Sequence, residues 1–303
     1  MRLRSGLLIG IFGLIVVLMG GWFFTLATAL LTYLALLEFF RMAEFKGIRP
    51  ATKTTLFSSF IIIISTYLET IGVLEGEISN SILPICSVGI CTWLLLQPKP
   101  GTISDIAASI FGLFYLGFLP SYWIKLRGID SVIISSNQGF MSFENLSNTT
   151  GLHLTLTSCF LIVASDIGSY FIGKSFGKTS LSPISPSKTI EGLIGGISCS
   201  TLLAIIFAFL LNWENPLFVG IIYGISISLM ALVGDLIESM MKRDAKIKDS
   251  GTFLPGHGGI LDRIDSYIFT PSVLLYIFIF LKYLNKLKNL LCQIIILDNF
   301  TRY

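Results

Sequence analysis

Nine long apolar stretches run along this chain, and they constrain its fold more than any other feature. Each is close to the ~17–25 residues that a helix needs to cross about 30 Å of hydrocarbon with its backbone hydrogen bonds satisfied internally. Of all residues, 53% are hydrophobic and only 13% are charged, a low charge density for a soluble globular chain. We predict an all-α, polytopic helical integral membrane protein with about nine transmembrane helices, over 5–20, 21–40, 56–73, 80–97, 103–123, 152–172, 191–211, 217–240 and 266–284.

The distribution of polar residues predicts three regions. Residues 1–150 form an N-terminal hydrophobic region with about five transmembrane helices and an exterior loop. Residues 151–284 form a second membrane domain, which carries the polar loops 173–190 and 241–265. Residues 285–303 form a C-terminal tail.

The first apolar residues, Ser5 to Phe40, are too many for one helix. Gly20-Gly21 is the natural point for a break into two helices, because glycine punctuates regular structure. One tilted span followed by an interfacial helix is the alternative.

Positive charges indicate the orientation, because loops rich in Lys and Arg are held on the cytoplasmic side. With the N-terminus inside, the inside segments hold fifteen of the 21 Lys and Arg residues: 1–4, 41–55, 98–102, 173–190 and 241–265. The tail breaks this pattern, since nine spans place its basic residues outside, and its side is left open. The expected location is a bacterial cytoplasmic (inner) membrane with the polar loops facing the cytoplasm, and which prokaryotic or organellar membrane hosts the chain is left open. The net charge of +3 gives no reason to expect a nucleic-acid partner.

Two pairs of carboxylates flank the most polar part of the chain. Asp235 and Glu238 lie in the eighth apolar stretch, where the spacing i, i+3 puts them on one helical face. A carboxylate inside a membrane helix costs roughly 2.5–3.5 kcal/mol on insertion scales unless it is paired or hydrated, which favours a functional role. Asp262 and Asp265 repeat this spacing at the start of the next helix. Such converging acidic faces suit Mg²⁺, which takes oxygen ligands from carboxylates and substrate phosphates.

Between these pairs lies the segment Pro255-Gly256-His257-Gly258-Gly259. Glycine lets backbone amides approach a ligand closely, and the N-terminus of the following helix attracts anions. A plain loop with a helix cap explains one or two of these glycines, but not the whole string. Basic side chains that suit phosphate groups surround it: Lys242, Arg243, Lys246, Lys248 and Arg263.

A second polar segment extends from Asp166 to Glu191 and faces the same side in the predicted topology. Its Lys and Ser residues, in a loop stiffened by two prolines, suit phosphate oxygens, although a solvated loop is the alternative. Within it, Gly168–Ser175 satisfies the literal phosphate-loop pattern G-x-x-x-x-G-K-[ST]. We reject that interpretation because a phosphate loop connects a strand to a helix, whereas these residues close a membrane span.

Together these motifs resemble the signature of the phosphatidate cytidylyltransferases, also called CDP-diacylglycerol synthases. The resemblance is strong over about 160–275, and the first 150 residues match only as a hydrophobic region. The residues that carry it are Ser239, Lys242-Arg243, Lys248-Asp249, Gly251, Leu254-Pro255, His257-Gly258-Gly259, Asp262-Arg263 and Asp265, preceded by Ser165-Asp166-x-Gly168-x-Tyr170 and Ser185-Pro186-x-Lys188-Thr189-x-Glu191-Gly192.

The resemblance implies that 151–284 is a catalytic domain that transfers CMP from CTP to phosphatidic acid in phospholipid biosynthesis. The products would be CDP-diacylglycerol and pyrophosphate, and the cofactor Mg²⁺. Mn²⁺ in its place, a second, monovalent cation and a homodimer are left open. Phosphatidate carries about −1.5 to −2 charge near neutrality, so it needs little deprotonation to attack. Catalysis should therefore rest on positioning and charge neutralisation.

Roles follow for individual residues. The expected metal ligands are Asp235, Asp262, Asp265 and, as a weaker candidate, Ser239. The expected catalytic residues are Asp235, Asp262, Asp265, Lys242, Arg263 and His257, where His257 either donates to the leaving pyrophosphate or only fixes its loop. The expected substrate-binding residues are Ser187, Lys188, Arg243, Lys248, Asp249, Asp166, Gly258 and Gly259.

A membrane transporter of a phosphorylated solute is the competing class. Transporter sites usually lie near the bilayer midplane on broken helices of repeated halves, whereas these charges cluster at helix ends and in loops. A CDP-alcohol phosphotransferase would need Asp-Gly-x-x-Ala-Arg repeats on one helix, which this sequence lacks.

Overall fold

The computed structural model describes residues 2–76, 78–129, 150–251 and 258–284, with side chains described from residue 10 onward. Most of the predicted exterior loop, His257 and the tail 285–303 lie outside these ranges. The elements in chain order are α1 (Arg2–Met19), α2 (Gly21–Phe45), α3 (Thr52–Thr70), α4 (Ile78–Leu95), α5 (Ile103–Gly112), a π-helical segment (Leu113–Phe118), α6 (Ser121–Arg127), α7 (Thr150–Phe176), β1 (Ser180–Ser182), β2 (Ser185–Thr189), α8 (Ile190–Leu210), α9 (Pro216–Asp244) and α10 (Leu261–Ile268), with a further helix, α11, over 270–284.

The polytopic helical membrane fold is confirmed. Within the described ranges, seven segments are long and apolar enough to cross a membrane: Gly21–Phe45, Ile78–Leu95, Ile103–Arg127, Thr150–Phe176, Ile190–Leu210, Pro216–Asp244 and Leu261–Leu284. The other two predicted spans are also helical, as α1 and α3, but do not qualify. The part of α1 whose side chains are described, Gly10–Met19, is a shorter apolar helix, and α3 contains many Thr and Ser residues together with Lys53 and Glu69.

The break between α1 and α2 falls at the predicted glycines. Gly20 and Gly21 have φ angles of 62° and 50°, a left-handed conformation that favours glycine over residues with a Cβ. A Cβ on Gly20 would also lie 2.8 Å from the guanidinium of Arg127. The long N-terminal apolar run therefore folds as two helices.

Helices α7, α8 and α9 pack closely through small residues. Where α7 crosses α8, a Cβ on Gly195 would lie 2.6 Å from the side chain of Ile172. Where α8 meets α9, a Cβ on Gly224 would overlap the backbone of Thr201. Small residues allow such close approach of membrane helices. As a result, the polar ends of α7 and α9 lie next to each other.

The N-terminal helices also contact α10, the helix that follows the glycine motif. Leu36 and Phe40 of α2, Tyr115 and Leu116 of the π-helical segment and Leu261 of α10 are buried in one hydrophobic cluster. The division into regions 1–150 and 151–284 remains a prediction, and this cluster joins the two regions.

Candidate active site

A β-hairpin places Lys188 against α9. β1 and β2 pair antiparallel, with Ser180 opposite Thr189, and the Thr189 hydroxyl accepts the backbone N–H of Gly192 at 3.1 Å. This contact caps the N-terminus of α8 and satisfies one of its free amides. Lys188, one residue before the cap, forms an ion pair with Asp235 of α9.

A cavity of about 550 Å³ lies between α7, the hairpin, α8 and α9, within the size range of small-molecule sites. Its polar lining includes ammonium, hydroxyl and carboxylate groups, which suit a phosphate ester and a cation, and its apolar lining suits a hydrocarbon chain. The polar residues include Asp166, Lys174, Ser187, Lys188 and Asp235, and the apolar ones Leu181, Leu193, Ala231 and Leu232.

The literal phosphate-loop match, Gly168–Ser175, lies inside α7. A helix has no loop of free amides with which to wrap a phosphate, so the rejection of that motif holds. Lys174 nevertheless lines the cavity together with Lys188, and it contributes there as a charged side chain.

Three carboxylates meet where α9 crosses α10. One carboxylate oxygen from each of Asp235, Glu238 and Asp265 lies within 4.8 Å of the others. Gly234 permits this approach, because a Cβ at that position would overlap the carbonyl oxygen of Asp265. The sequence therefore uses a glycine immediately before Asp235 to bring the two acidic helix faces together.

This carboxylate cluster fits a hard divalent cation. Glu238 is fully buried, and among the described residues its Oε1 has no hydrogen-bond donor. A buried carboxylate oxygen without a donor is costly. Mg²⁺, which prefers oxygen ligands, would satisfy it together with Asp235 and Asp265.

Asp262 lies beside this cluster and holds the glycine segment. Its Oδ1 accepts a hydrogen bond from Lys242 Nζ at 2.6 Å. Its Oδ2 accepts the backbone N–H of Ser250 at 2.9 Å and of Gly259 at 2.8 Å. Gly258 has a φ of 80°, and a Cβ there would lie 2.8 Å from the same Oδ2. Glycine is thus required at 258 for both backbone conformation and space.

Lys242 connects Asp262 to the carboxylate cluster, because its Nζ also pairs with Glu238 Oε2 at 2.5 Å. The predicted ligand set is therefore arranged differently from the expectation: Glu238 lies with Asp235 and Asp265, while Asp262 is engaged by Lys242 and two backbone amides. Which of these carboxylates holds a metal remains a prediction.

The charges of this region do not balance. Five carboxylates (Asp166, Asp235, Glu238, Asp262 and Asp265) surround the cavity and cluster, against the ammonium groups of Lys174, Lys188 and Lys242. When all are ionised, the formal excess is two negative charges, which a divalent cation would offset.

The remaining predicted residues lie around this centre. Ser239 is buried next to Glu238 in α9. Ser187 lines the cavity beside Lys188, and the catalytic candidate His257 lies outside the described residues. The other four are exposed, so their roles rest on the sequence resemblance: Arg243, Lys248, Asp249 and Arg263.

Sequence reasoning gave no role to Glu38 of α2. This glutamate is only 5% exposed and accepts the backbone N–H groups of Ile260 and Leu261, both at 2.9 Å. The signal that could have found it was already used for Asp235: a carboxylate inside an apolar stretch is costly unless it has partners.

The fold and the site define a polytopic membrane protein with an acidic, cation-suited cluster beside a cavity lined by lysine, hydroxyl and carboxylate groups. The sequence profile of the family described as "Cytidylyltransferase family" matches residues 1–281. The chain therefore belongs to the cytidylyltransferase family and is a nucleotidyltransferase.

Several relatives are similar over nearly the whole chain. A phosphatidate cytidylyltransferase of Synechocystis sp. is 43% identical over 279 residues, covering 89% of this chain and 93% of the relative. The chloroplastic phosphatidate cytidylyltransferase 5 of Arabidopsis thaliana is 38% identical, over 90% of this chain and 70% of its own. The phosphatidate cytidylyltransferase of Bacillus subtilis is 31% identical, over 91% and 96%.

Proposed function

We propose that this protein transfers the CMP group of CTP to phosphatidic acid, a step of phospholipid biosynthesis. The observation that carries the proposal is the cavity in which Lys188 and Ser187 adjoin the carboxylate cluster. The relatives named above are phosphatidate cytidylyltransferases, which supports the same substrates for this chain.

In the proposed reaction, a phosphate oxygen of phosphatidate attacks the α-phosphorus of CTP. A new P–O bond forms, the bond from the α-phosphorus to the bridging oxygen breaks, and pyrophosphate leaves. Lys188 and Lys174 would bind and orient phosphate oxygens, since an ammonium carries three N–H donors and its pairing with one carboxylate leaves others available. The apolar residues Leu181, Leu193 and Leu232 would contact the lipid chains.

We further propose Mg²⁺ as the cofactor, held by Asp235, Glu238 and Asp265. When bound, it would neutralise phosphate charge and polarise the P–O bonds. Lys242 would keep Glu238 and Asp262 in place, and Asp262 would hold the amides of the glycine segment in position for phosphate oxygens.

The apolar helices support a location in a lipid bilayer. We propose that the loops 173–190 and 241–265 face the cytoplasm, where CTP is available and where basic loops are retained.

A direct assay tests the proposed function. Purified protein in phosphatidate-containing nanodiscs is given CTP labelled on the α-phosphate, and incorporation of label into lipid is measured, with diacylglycerol nanodiscs as the control. Labelled lipid that forms only with phosphatidate, together with stoichiometric pyrophosphate, is the expected result. Absence of labelled lipid, or equal labelling with diacylglycerol, would contradict the proposal, and uptake of intact CTP into sealed vesicles would favour a transporter.

A further inference from the structure

Glu38 ties the N-terminal helices to the segment that carries Asp262. Its Oε1 accepts the N–H of Ile260 at 2.9 Å, and its Oε2 accepts the N–H of Leu261 at 2.9 Å. Oε2 also accepts the hydroxyl of Ser250 at 2.8 Å. All these groups are donors, so they match a carboxylate with two acceptor oxygens.

The same hydroxyl reaches the site carboxylate. Ser250 Oγ lies 3.0 Å from Asp262 Oδ2, so one hydroxyl stands between Glu38 and Asp262. Since a hydroxyl has a single hydrogen, Ser250 shares it between the two carboxylates. Glu38 therefore makes no hydrogen bond to Asp262 itself, but it binds Ser250, which reaches Asp262, and the amide of Leu261, the residue before Asp262.

Two glycines make room for Glu38. A Cβ on Gly251 would lie 2.5 Å from its Oε1, and a Cβ on Gly259 would overlap its Oε2. These glycines belong to the signature segment, and their lack of side chains is thus explained by the approach of Glu38 as well as by a ligand. Because Glu38 is buried beside Phe39 and Phe40, water cannot easily replace it as the acceptor for the amides.

We propose that Glu38 is a positioning residue for the transfer reaction: it fixes the start of α10 and Ser250 so that Asp262 and the amides of Gly258 and Gly259 keep their places. The expected effect of Glu38 on the reaction rate rests on the proposed function. The cavity around Lys188 is not in contact with Glu38, so phosphatidate binding there should not depend on it.

Glu38→Gln is the main test. Glutamine has nearly the same shape, but both Glu38 oxygens accept N–H groups, so either orientation of the amide places an NH₂ against a backbone donor. Rates are expressed per folded protein, because a lower folded fraction would by itself reduce the apparent kcat without changing KM. On that basis we expect kcat to fall about 10- to 100-fold, while the KM for phosphatidate changes less than about twofold. Glu44→Gln is the matched control, with the same substitution on an exposed residue of the same helix, and it should leave both constants unchanged.

Hydrogen exchange supplies a readout that does not depend on turnover. Amides in the 258–268 region should exchange faster in Glu38→Gln than in the wild type and in Glu44→Gln. A double-mutant cycle with Ser250→Ala should be non-additive, because both changes break the same chain of contacts. If Glu38→Gln fails to fold in detergent, Ser250→Ala alone must show the same separation of kcat from KM.

The outcomes separate the two proposals. Faster exchange with an unchanged kcat, or independent effects of Glu38→Gln and Ser250→Ala on rate, would overturn the positioning role. A wild-type protein that folds, protects the 258–268 amides and yet makes no CDP-lipid would refute the proposed function. In that case the exchange comparison would still show whether Glu38 holds the start of α10 in place.

Discussion

Lys188 of the β-hairpin is paired with Asp235 of α9, and this pair lies where the cavity meets the carboxylate cluster. Asp235 belongs to both, since it lines the cavity and contributes an oxygen to the cluster. Bound cation and bound phosphate would therefore be neighbours across this ion pair.

Lys188→Ala should raise the substrate concentration needed for half-maximal rate and lower turnover. Loss of one charge-assisted contact costs ~1.5–3 kcal/mol, about one to two decades in catalytic efficiency. Lys99→Ala is the control, because Lys99 is exposed on another basic loop between two prolines. Steady-state kinetics at two ionic strengths make the comparison. Equal losses that fade with added salt would show a bulk surface-potential effect instead.

The carboxylates should differ in their effect on metal dependence. Glu238→Gln should raise the Mg²⁺ concentration for half-maximal activity by about tenfold or more, as expected when one of a few ligands is lost. Asp262→Asn should abolish most turnover with little change in that concentration, because Asp262 is engaged by Lys242 and backbone amides.

Metal titrations of both variants give the measurement, and Asp244→Asn, an exposed carboxylate of α9, is the control. An equally large shift in Asp262→Asn would return Asp262 to the metal site, as the sequence alone had predicted.

Gly258→Ala should lower turnover at least about tenfold, because it combines backbone strain of ~1–2 kcal/mol with displacement of Asp262. Gly47→Ala separates these two effects. Gly47 has a φ of 79°, nearly that of Gly258, but nothing lies within 4 Å of an added Cβ. Gly47→Ala should therefore reduce thermal stability slightly and leave turnover intact. Similar rate losses in both variants would mean that clearance around Asp262 is unimportant.

The two polar loops should be labelled from the same side of the membrane. Cysteines introduced at the exposed positions Thr179 and Lys248 in a background without native cysteines should both react with an impermeant maleimide only after the cytoplasmic face is exposed. A cysteine introduced in place of Glu214, in the α8–α9 connection at the other end of these helices, should react from the opposite face. Labelling of Thr179 and Lys248 from different sides would break the shared-site interpretation.

Hydropathy predicted the helices well, because span length depends on a local property, the apolar character of some twenty successive residues. Each predicted stretch is helical, and the helix break falls at Gly20. The π-helical segment Leu113–Phe118 was not predicted, since its hydropathy is that of any apolar helix.

The site was less predictable, because side-chain spacing along one helix does not determine which face meets another helix. The i, i+3 pairs identified Asp235, Glu238, Asp262 and Asp265, but they did not distinguish the carboxylates that converge from the one that Lys242 engages. The family resemblance and the predicted topology placed the loops 173–190 and 241–265 on the same side of the membrane. They did not predict that Lys188 pairs with Asp235. Glu38 was missed because two of its three partners are backbone amides and the third, Ser250, is 212 residues away in the sequence, so no local side-chain motif marks the contact.

Glu38 is separated from Ile260 and Leu261 by 222 and 223 residues, so the order of synthesis sets the order of assembly. At about 5–20 residues per second, roughly 10–45 s pass between translation of α2 and translation of the amides that it accepts. During that interval α2 is already made while the donors for its carboxylate are not. The contact between Glu38 of α2 and the amides at the start of α10 can form only after α10 has been synthesised. Completion of the site is therefore one of the last events in the folding of this chain.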